Sequence, residues 1–225
     1  CQEDDDVRVL IITGKGRGFS SGHDVSDLVD IYDPKKLDPS KPLKTPEPAS
    51  SLPLFLHHTV EKPIIGAING VCAGAGYCMA LACDVRIASE NARFVHAYLR
   101  RALIASGELW WLPRIIGLGP TLYRVFTSDD ILAEEALELK MVSKVVPADK
   151  LDEEAYELAS QVALAPPTTV KFIKKAIYRG LTHDFESTME FVGYARELAK
   201  MTGETSAYSK NFVDKTMDKF WEKKE

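Results

Sequence analysis

The stretch GAINGVCAGAGYCMALACDVRIA, residues 66–88, limits what this chain can fold into more than any other. Extended apolar residues from Ile64 to Ile68 lead into the Gly74-Ala75-Gly76 turn. A small-residue helix follows over 74–82, and Val85 to Ala88 is extended again. A strand, turn, helix and strand packed so closely imply an α/β core. The small residues at the turn let the backbone approach a neighbour and keep N–H groups free of ladder partners. Cys78 stands on that helix where a catalytic carboxylate would be sought.

The remaining segments extend this pattern. Val7–Thr13 reads as a doubly buried strand, and GKGRGFSSGHD, residues 14–24, as a glycine-rich loop. Asp24 opens a helical stretch with Val25, Leu28, Val29 and Ile31 on one side. Between Pro34 and Pro53 six prolines mixed with lysines predict a surface excursion, a candidate lid. Leu109–Ile116 reads as helix, Gly117–Pro120 as punctuation, Ala133–Leu139 as a short helix and Val142–Val146 as a strand. From Leu151 onward the pattern is helical. Pro166-Pro167-Thr168 starts a helix with Lys171, Lys174 and Lys175 outward, and Phe185–Lys200 and Glu204–Lys223 follow.

Composition narrows the function. A chain of 225 residues, 45% hydrophobic, supports one compact core with a helical appendix. Its formal charge of −5 argues against nucleic acid, although Lys210, Lys215, Lys219, Lys223 and Lys224 make the tail locally basic. Cys1, Cys72, Cys78 and Cys83 form neither a metal pair nor a disulfide framework, and with no membrane-length apolar run the expected compartment is the cytosol. The chain begins at Cys1 rather than Met, which leaves an organellar targeting segment upstream open.

Single glycine motifs say little. Gly18-Phe19-Ser20-Ser21-Gly22 is a literal G-x-S-x-G that would make Ser20 the nucleophile of a serine hydrolase, but the preceding strand is expected to end near Thr13. Gly74-Ala75-Gly76 has only the first two glycines of a dinucleotide fingerprint, and Gly14-Lys15-Gly16 lacks the ending of a phosphate loop. As a pair, however, two glycine loops that each follow a strand can present two backbone donors to one developing oxyanion.

With that pair in view, FSSGHDVSDL (19–28), KPIIGAINGVCAGAGYCMALACDVRIAS (62–89), ARF (92–94), LPRIIG (112–117) and ALELKMVSKVVP (136–147) resemble the crotonase (enoyl-CoA hydratase/isomerase) superfamily. The resemblance implies an α/β spiral of ββα turns over residues 1–165, with the family's first strands upstream of Cys1, and a C-terminal helical assembly region over 166–225. It implies homotrimers or dimers of trimers and an acyl-CoA thioester substrate, with coenzyme A entering as part of that substrate and neither a tightly bound cofactor nor a metal. The N–H groups of His23 and Ala75 match the family's oxyanion donors. Arg17, Ser21, His23, Asp24 and Lys215 match positions near the coenzyme, where Arg17 and Lys215 suit its phosphate.

The two glutamates of the family's hydratases are absent: Cys78 and Tyr98 occupy their places. The remaining acid–base candidates are Cys78, His96, Tyr98, the His23 side chain and Glu108, the nearest carboxylate beyond the second position. Each also has a plain structural role: Cys78 as packing, Tyr98 as filler of the lost carboxylate's volume, Glu108 as a first-turn residue favoured by the helix dipole. His96, one residue from Tyr98 on a segment read as extended, is expected to point another way if the alternation holds. Trp110 and Trp111 are placed beside the acyl group or in the core. The expected reaction is therefore not simple hydration, and an acyl-CoA binding protein without turnover is the alternative.

Overall fold

The computed structural model describes residues 2–24, 56, 59–105 and 107–214. Two compact units divide the chain. The larger comprises 11–59 and 65–155, and the smaller 1–10, 60–64 and 156–225.

The larger unit is built from repeated ββα turns. In each, one strand joins a first sheet, a tight corner follows, and the next strand joins a second sheet. β1 (Leu10–Thr13) and β2 (Gly18–Ser20) form the first pair, β3 (Ile64–Ile68) and β4 (Val71–Ala73) the second, β5 (Val85–Ser89) and β6 (Arg93–Val95) the third. With β7 (Ile131–Leu132) and β8 (Lys144–Val146), they give two four-stranded sheets of order β1-β3-β5-β8 and β2-β4-β6-β7. β3 pairs in parallel with β5, β5 with β8, β2 with β4 and β4 with β6, whereas β6–β7 is antiparallel. β3 is buried along its whole length, as the unbroken IIGAI run requires of a strand covered on both faces.

Asn69 locks the corners in step. Its Oδ1 accepts from the Gly14 amide (3.1 Å), its Nδ2 donates to the Gly16 carbonyl (2.9 Å), and its own carbonyl accepts from Ser89 Oγ (3.1 Å). Helix α1 (Ala75–Ala82) follows β4, and α2 (Gly107–Ile115), α3 (Leu118–Thr127) and α4 (Ala133–Glu138) come later in the unit. Arg86 caps the end of α1, donating from Nη1 to the carbonyls of Ala80, Leu81 and Cys83 and from Nε to that of Met141 (2.7 Å). A cation there complements the negative end of the helix dipole.

Several sequence expectations need correction. Residues 18–20 are a strand, not loop, because they pair with β4, a partner about fifty residues away that no local pattern reveals. Val71–Ala73, between the expected strand and turn, is likewise a strand of its own. Gly117–Pro120 is a helix entrance: Gly117 precedes α3 at φ 84°, and Pro120 lies in the first turn, where a missing N–H costs nothing. The helical stretch after Asp24 and the proline-rich segment lie outside the described residues.

The smaller unit holds the end of α5 (Leu151–Ala163) with α6 (Pro167–Gly180), α7 (Phe185–Met201) and α8 (Glu204–Val213). Lys174, expected outward, is buried and donates to the Lys62 carbonyl at 2.9 Å, while Lys171 and Lys175 bind Glu61. A lysine stem buried with its ammonium on a carbonyl follows from snorkelling, which a surface-face reading overlooks. Phe185, Met189, Leu198 and Phe212 are exposed in the single chain. Among the described residues no helix is long and apolar enough to cross a membrane.

Pro166 gives α6 no side-chain cap, and Glu204 supplies one from α8, accepting from the Thr168 and Thr169 amides at 3.0 and 3.2 Å. Burial pushes this carboxyl up, but those amides outweigh it and hold it below the usual carboxylate range. The folded state thus favours the carboxylate, so the contribution is complete above the unfolded value of about 4.3 and is lost as pH falls through the folded one. Glu204→Gln is expected to cost about 0.5–2 kcal/mol at neutral pH. In urea melts across pH, the gap from the parent protein closes in acid.

Candidate active site

β2 and β4 are parallel neighbours, so the chain leaves their C-terminal ends side by side. After β4, Gly74 (φ 53°) turns the backbone into α1, whose first residue is Ala75. The N–H of a first helical residue has no intrahelical acceptor. After β2, Ser20 Oγ accepts from the Gly22 amide at 3.3 Å, and Gly22 takes φ 85°. A β-carbon on Gly22 would stand 3.0 Å from both the Ala75 nitrogen and the Ala73 carbonyl oxygen. One on Gly76 would come within 2.4 Å of Ser20 Cβ and 2.8 Å of its carbonyl oxygen. The 20–22 backbone therefore lies directly on the first turn of α1, beside the Ala75 nitrogen.

Cys78, His96, Tyr98 and Glu108 gather beside this junction. Cys78, one turn along α1 from Ala75, is buried, and its Sγ lies 4.0 Å from Tyr98 Oη and against the amides of Gly107 and Glu108 at the start of α2. Burial pushes the thiol up and the Glu108 charge adds to this, while those amides and the phenol offset only part. Cys78 is therefore held as a thiol, a poor nucleophile. Burial also drives the Tyr98 phenol well above its ordinary range, aided by Cys78 and Glu108, so it stays neutral. Tyr98 Oη lies 4.0 Å from where a β-carbon on Gly74 would stand. Glu108 is completely buried, with Oε1 3.1 Å from Nδ1 of buried His96. That approach is too oblique for a regular hydrogen bond, and neither Glu108 oxygen has one among the described residues.

The whole chain, residues 1–225, matches the family model described as enoyl-CoA hydratase/isomerase. The chain belongs to the enoyl-CoA hydratase/isomerase family. It is 32% identical to the 1,2-epoxyphenylacetyl-CoA isomerase of Escherichia coli strain K12, over 92% of this chain and 77% of that protein. It is 35% identical to a probable enoyl-CoA hydratase of Mycobacterium bovis, over 79% of this chain and 63% of that protein. The chain thus spans between about three-fifths and three-quarters of these relatives' length. The crystal structure of an enoyl-CoA hydratase from Bacillus anthracis superposes with a TM-score of 0.81 at 30% identity, covering 95% of this chain and 81% of that one. The fold is therefore the crotonase fold, as the sequence blocks imply.

Within this family member the two glycine loops meet at Gly22 and Ala75, and Cys78, Tyr98, Glu108 and His96 are linked to one another beside that junction. His96 and Tyr98 both enter the cluster because β6 ends at Val95 and Tyr98 begins a 3₁₀ turn, so strand alternation no longer separates them. The sequence does not single out Gly107, whose contact with Cys78 is made by its backbone. Ser20 Oγ is occupied by the Gly22 amide, packs on Gly76, and has no imidazole partner among the described residues. Arg17, Ser21, His23 and Asp24 are exposed around the first loop, and Lys215 lies outside the described residues. The tryptophans divide: Trp111 is core, while Trp110 is exposed under the Arg114 guanidinium, 3.4 Å from its ring centre. A cavity of about 330 Å³ in the smaller unit, bordered by Arg8, Glu61 and Thr168, contains none of the candidate residues. Among the described residues no cluster of His, Cys, Asp or Glu could hold a metal.

Gly76→Ala is the sharpest test of the junction. Its β-carbon meets backbone as well as side chain, so the 20–22 loop must move. The expected result is a folded protein destabilised by about 1–3 kcal/mol, with acyl-CoA affinity lost in calorimetric titration. Gly119→Ala, where a β-carbon meets nothing within 4 Å, leaves affinity intact.

Proposed function

We propose that this chain binds acyl-CoA thioesters and catalyses proton transfer on the bound acyl group, an enoyl isomerisation in type, rather than adding water. The observation that carries the reading is the approach of Gly22 to the Ala75 nitrogen. It supports the amides of His23 and Ala75 as joint donors to a thioester oxygen, where enolate charge develops. A fixed donor in such a site is worth about 2.7–4 kcal/mol of transition-state stabilisation. Arg17 and Lys215 serve the coenzyme's phosphate, with Ser21 and Asp24 lining its path.

Hydration needs one group to activate water and another to protonate carbon. In the positions that the family resemblance assigns to those glutamates stand a thiol and a phenol, both held neutral. A double-bond shift needs only one group, which takes a proton from one carbon and returns it to another. The Escherichia coli relative is likewise an isomerase, of an epoxyacyl-CoA.

Each missing hydration partner is worth about 10²–10⁴-fold in rate. Incubation with crotonyl-CoA, followed by mass spectrometry, is therefore expected to show little or no hydrated product, whereas a 3-enoyl-CoA is converted to its 2-enoyl isomer. Fast hydration overturns the altered-reaction reading. Tight binding of thioesters with no turnover across a broad acyl panel makes the chain a binding protein instead.

Exposed Phe185, Met189, Leu198 and Phe212 support assembly through the C-terminal helices as a homotrimer or dimer of trimers. Light scattering at micromolar concentration is expected to give a multiple of three chains, and a monomer refutes it.

A further inference from the structure

We propose that Arg101 is a specificity-determining residue: its guanidinium, on the rim of the site beside Tyr98, holds a carboxylate at the far end of the acyl group, so that the substrates are coenzyme A thioesters of dicarboxylic acids. The inference rests on the thioester reading above and names a substrate class for it.

The backbone sets Arg101 against the site. Tyr98 begins the 3₁₀ turn Leu99–Arg101, and its carbonyl accepts from the amides of Arg101 (2.9 Å) and Leu103 (3.1 Å). Side chains three apart on a 3₁₀ turn eclipse, so the Arg101 stem leaves the backbone on the side that carries the Tyr98 ring. The charge of Arg101 is accordingly felt at the Tyr98 phenol. The turn closes on Ala102 at φ 52°, a left-handed conformation that a non-glycine residue adopts at a cost and that often marks a functional site. At its other end Tyr98 meets the oxyanion turn, with Oη 4.0 Å from where a β-carbon on Gly74 would stand. An acyl chain whose thioester oxygen is on the Ala75 amide therefore reaches the guanidinium by following the phenol. One 3₁₀ turn rises about 6 Å, so the acid belongs several carbons beyond the thioester.

The charges around it leave Arg101 available. It is exposed, with no ion pair and no side-chain hydrogen bond among the described residues. Its neighbour Arg100 is occupied: it donates to the Ser128 carbonyl and lies 3.9 Å from Asp130, which also holds Arg93. The carboxylate that acts on the same phenol, Glu108, is completely buried against His96 and so cannot serve as the partner of an exposed cation. A guanidinium stays charged at any working pH, and its planar fork matches a carboxylate through two parallel hydrogen bonds. A terminal carboxylate on the acyl group supplies the anion that the chain does not.

Glutaryl-CoA and valeryl-CoA carry the same coenzyme and acyl chains of equal length, one ending in a carboxylate and the other in a methyl group. Calorimetry with both separates an acyl acid from the coenzyme's phosphates, which offer a guanidinium the same chemistry. The parent protein is expected to bind glutaryl-CoA about tenfold more tightly than valeryl-CoA, a preference that fades with added salt. Arg101→Gln weakens glutaryl-CoA by about tenfold and leaves valeryl-CoA unchanged. Arg101→Lys keeps the charge but loses the fork, and retains part of the preference. Because Arg101 is exposed, both variants are expected to melt with the parent protein. Equal weakening of the two thioesters by Arg101→Gln overturns the proposal in favour of a phosphate contact. An unchanged preference in that variant, or no preference in the parent protein, overturns it while the thioester site stands. Absence of binding by the parent protein to either ligand removes the thioester reading and this proposal with it.

Discussion

The backbone of Ser20 to Gly22 rests on the first turn of α1 at a separation that admits no β-carbon, and the rest of the site depends on that contact. It joins the exits of two parallel strands that are far apart in sequence. Glycine is required there for two separate reasons: residue 76 for space, and residue 22 for both space and a positive φ. The consequence is chemical. The Gly22 backbone is brought against the Ala75 nitrogen, without any side chain having to be ordered.

The surrounding fold holds this contact from behind. Asn69 ties the corner of one ββα turn to those before and after it, and β2 meets β4 in parallel with a register shift between Gly18 and Ser20. Arg86 fixes the far end of α1 through three carbonyls and ties it to a fourth, that of Met141. An error of one residue at either place would displace the glycine loop from the helix.

Low polarity then decides what the neighbouring side chains can do. Burial beside the Glu108 carboxylate disfavours the charged form of both Cys78 and Tyr98. The cluster thus sets a neutral thiol and a neutral phenol beside a buried carboxylate and a buried imidazole.

The sequence by itself determined the α/β class, the strands at Ile64–Ile68 and Val85–Ala88, the helix over 74–82 and the importance of both glycine loops, because periodicity and turn chemistry act over a few residues. It also supplied the candidates Cys78, His96, Tyr98 and Glu108, whose residue types carry chemistry wherever they lie. It left β2, β4 and α3 unread: β2 and β4 exist through long-range pairing, and Gly117 and Pro120 look the same in a loop as at a helix entrance. Lys174 was misplaced because charge alone suggests a surface, whereas its stem is buried and its ammonium meets a carbonyl. Only the tertiary structure decided that Glu108, distant in sequence from Ala75, shares its cluster, and that His96 and Tyr98 enter it together. That proximity comes from α2 folding onto α1 and from a strand ending at Val95, and burial, which sets the charge of each group, has no existence until those elements are packed.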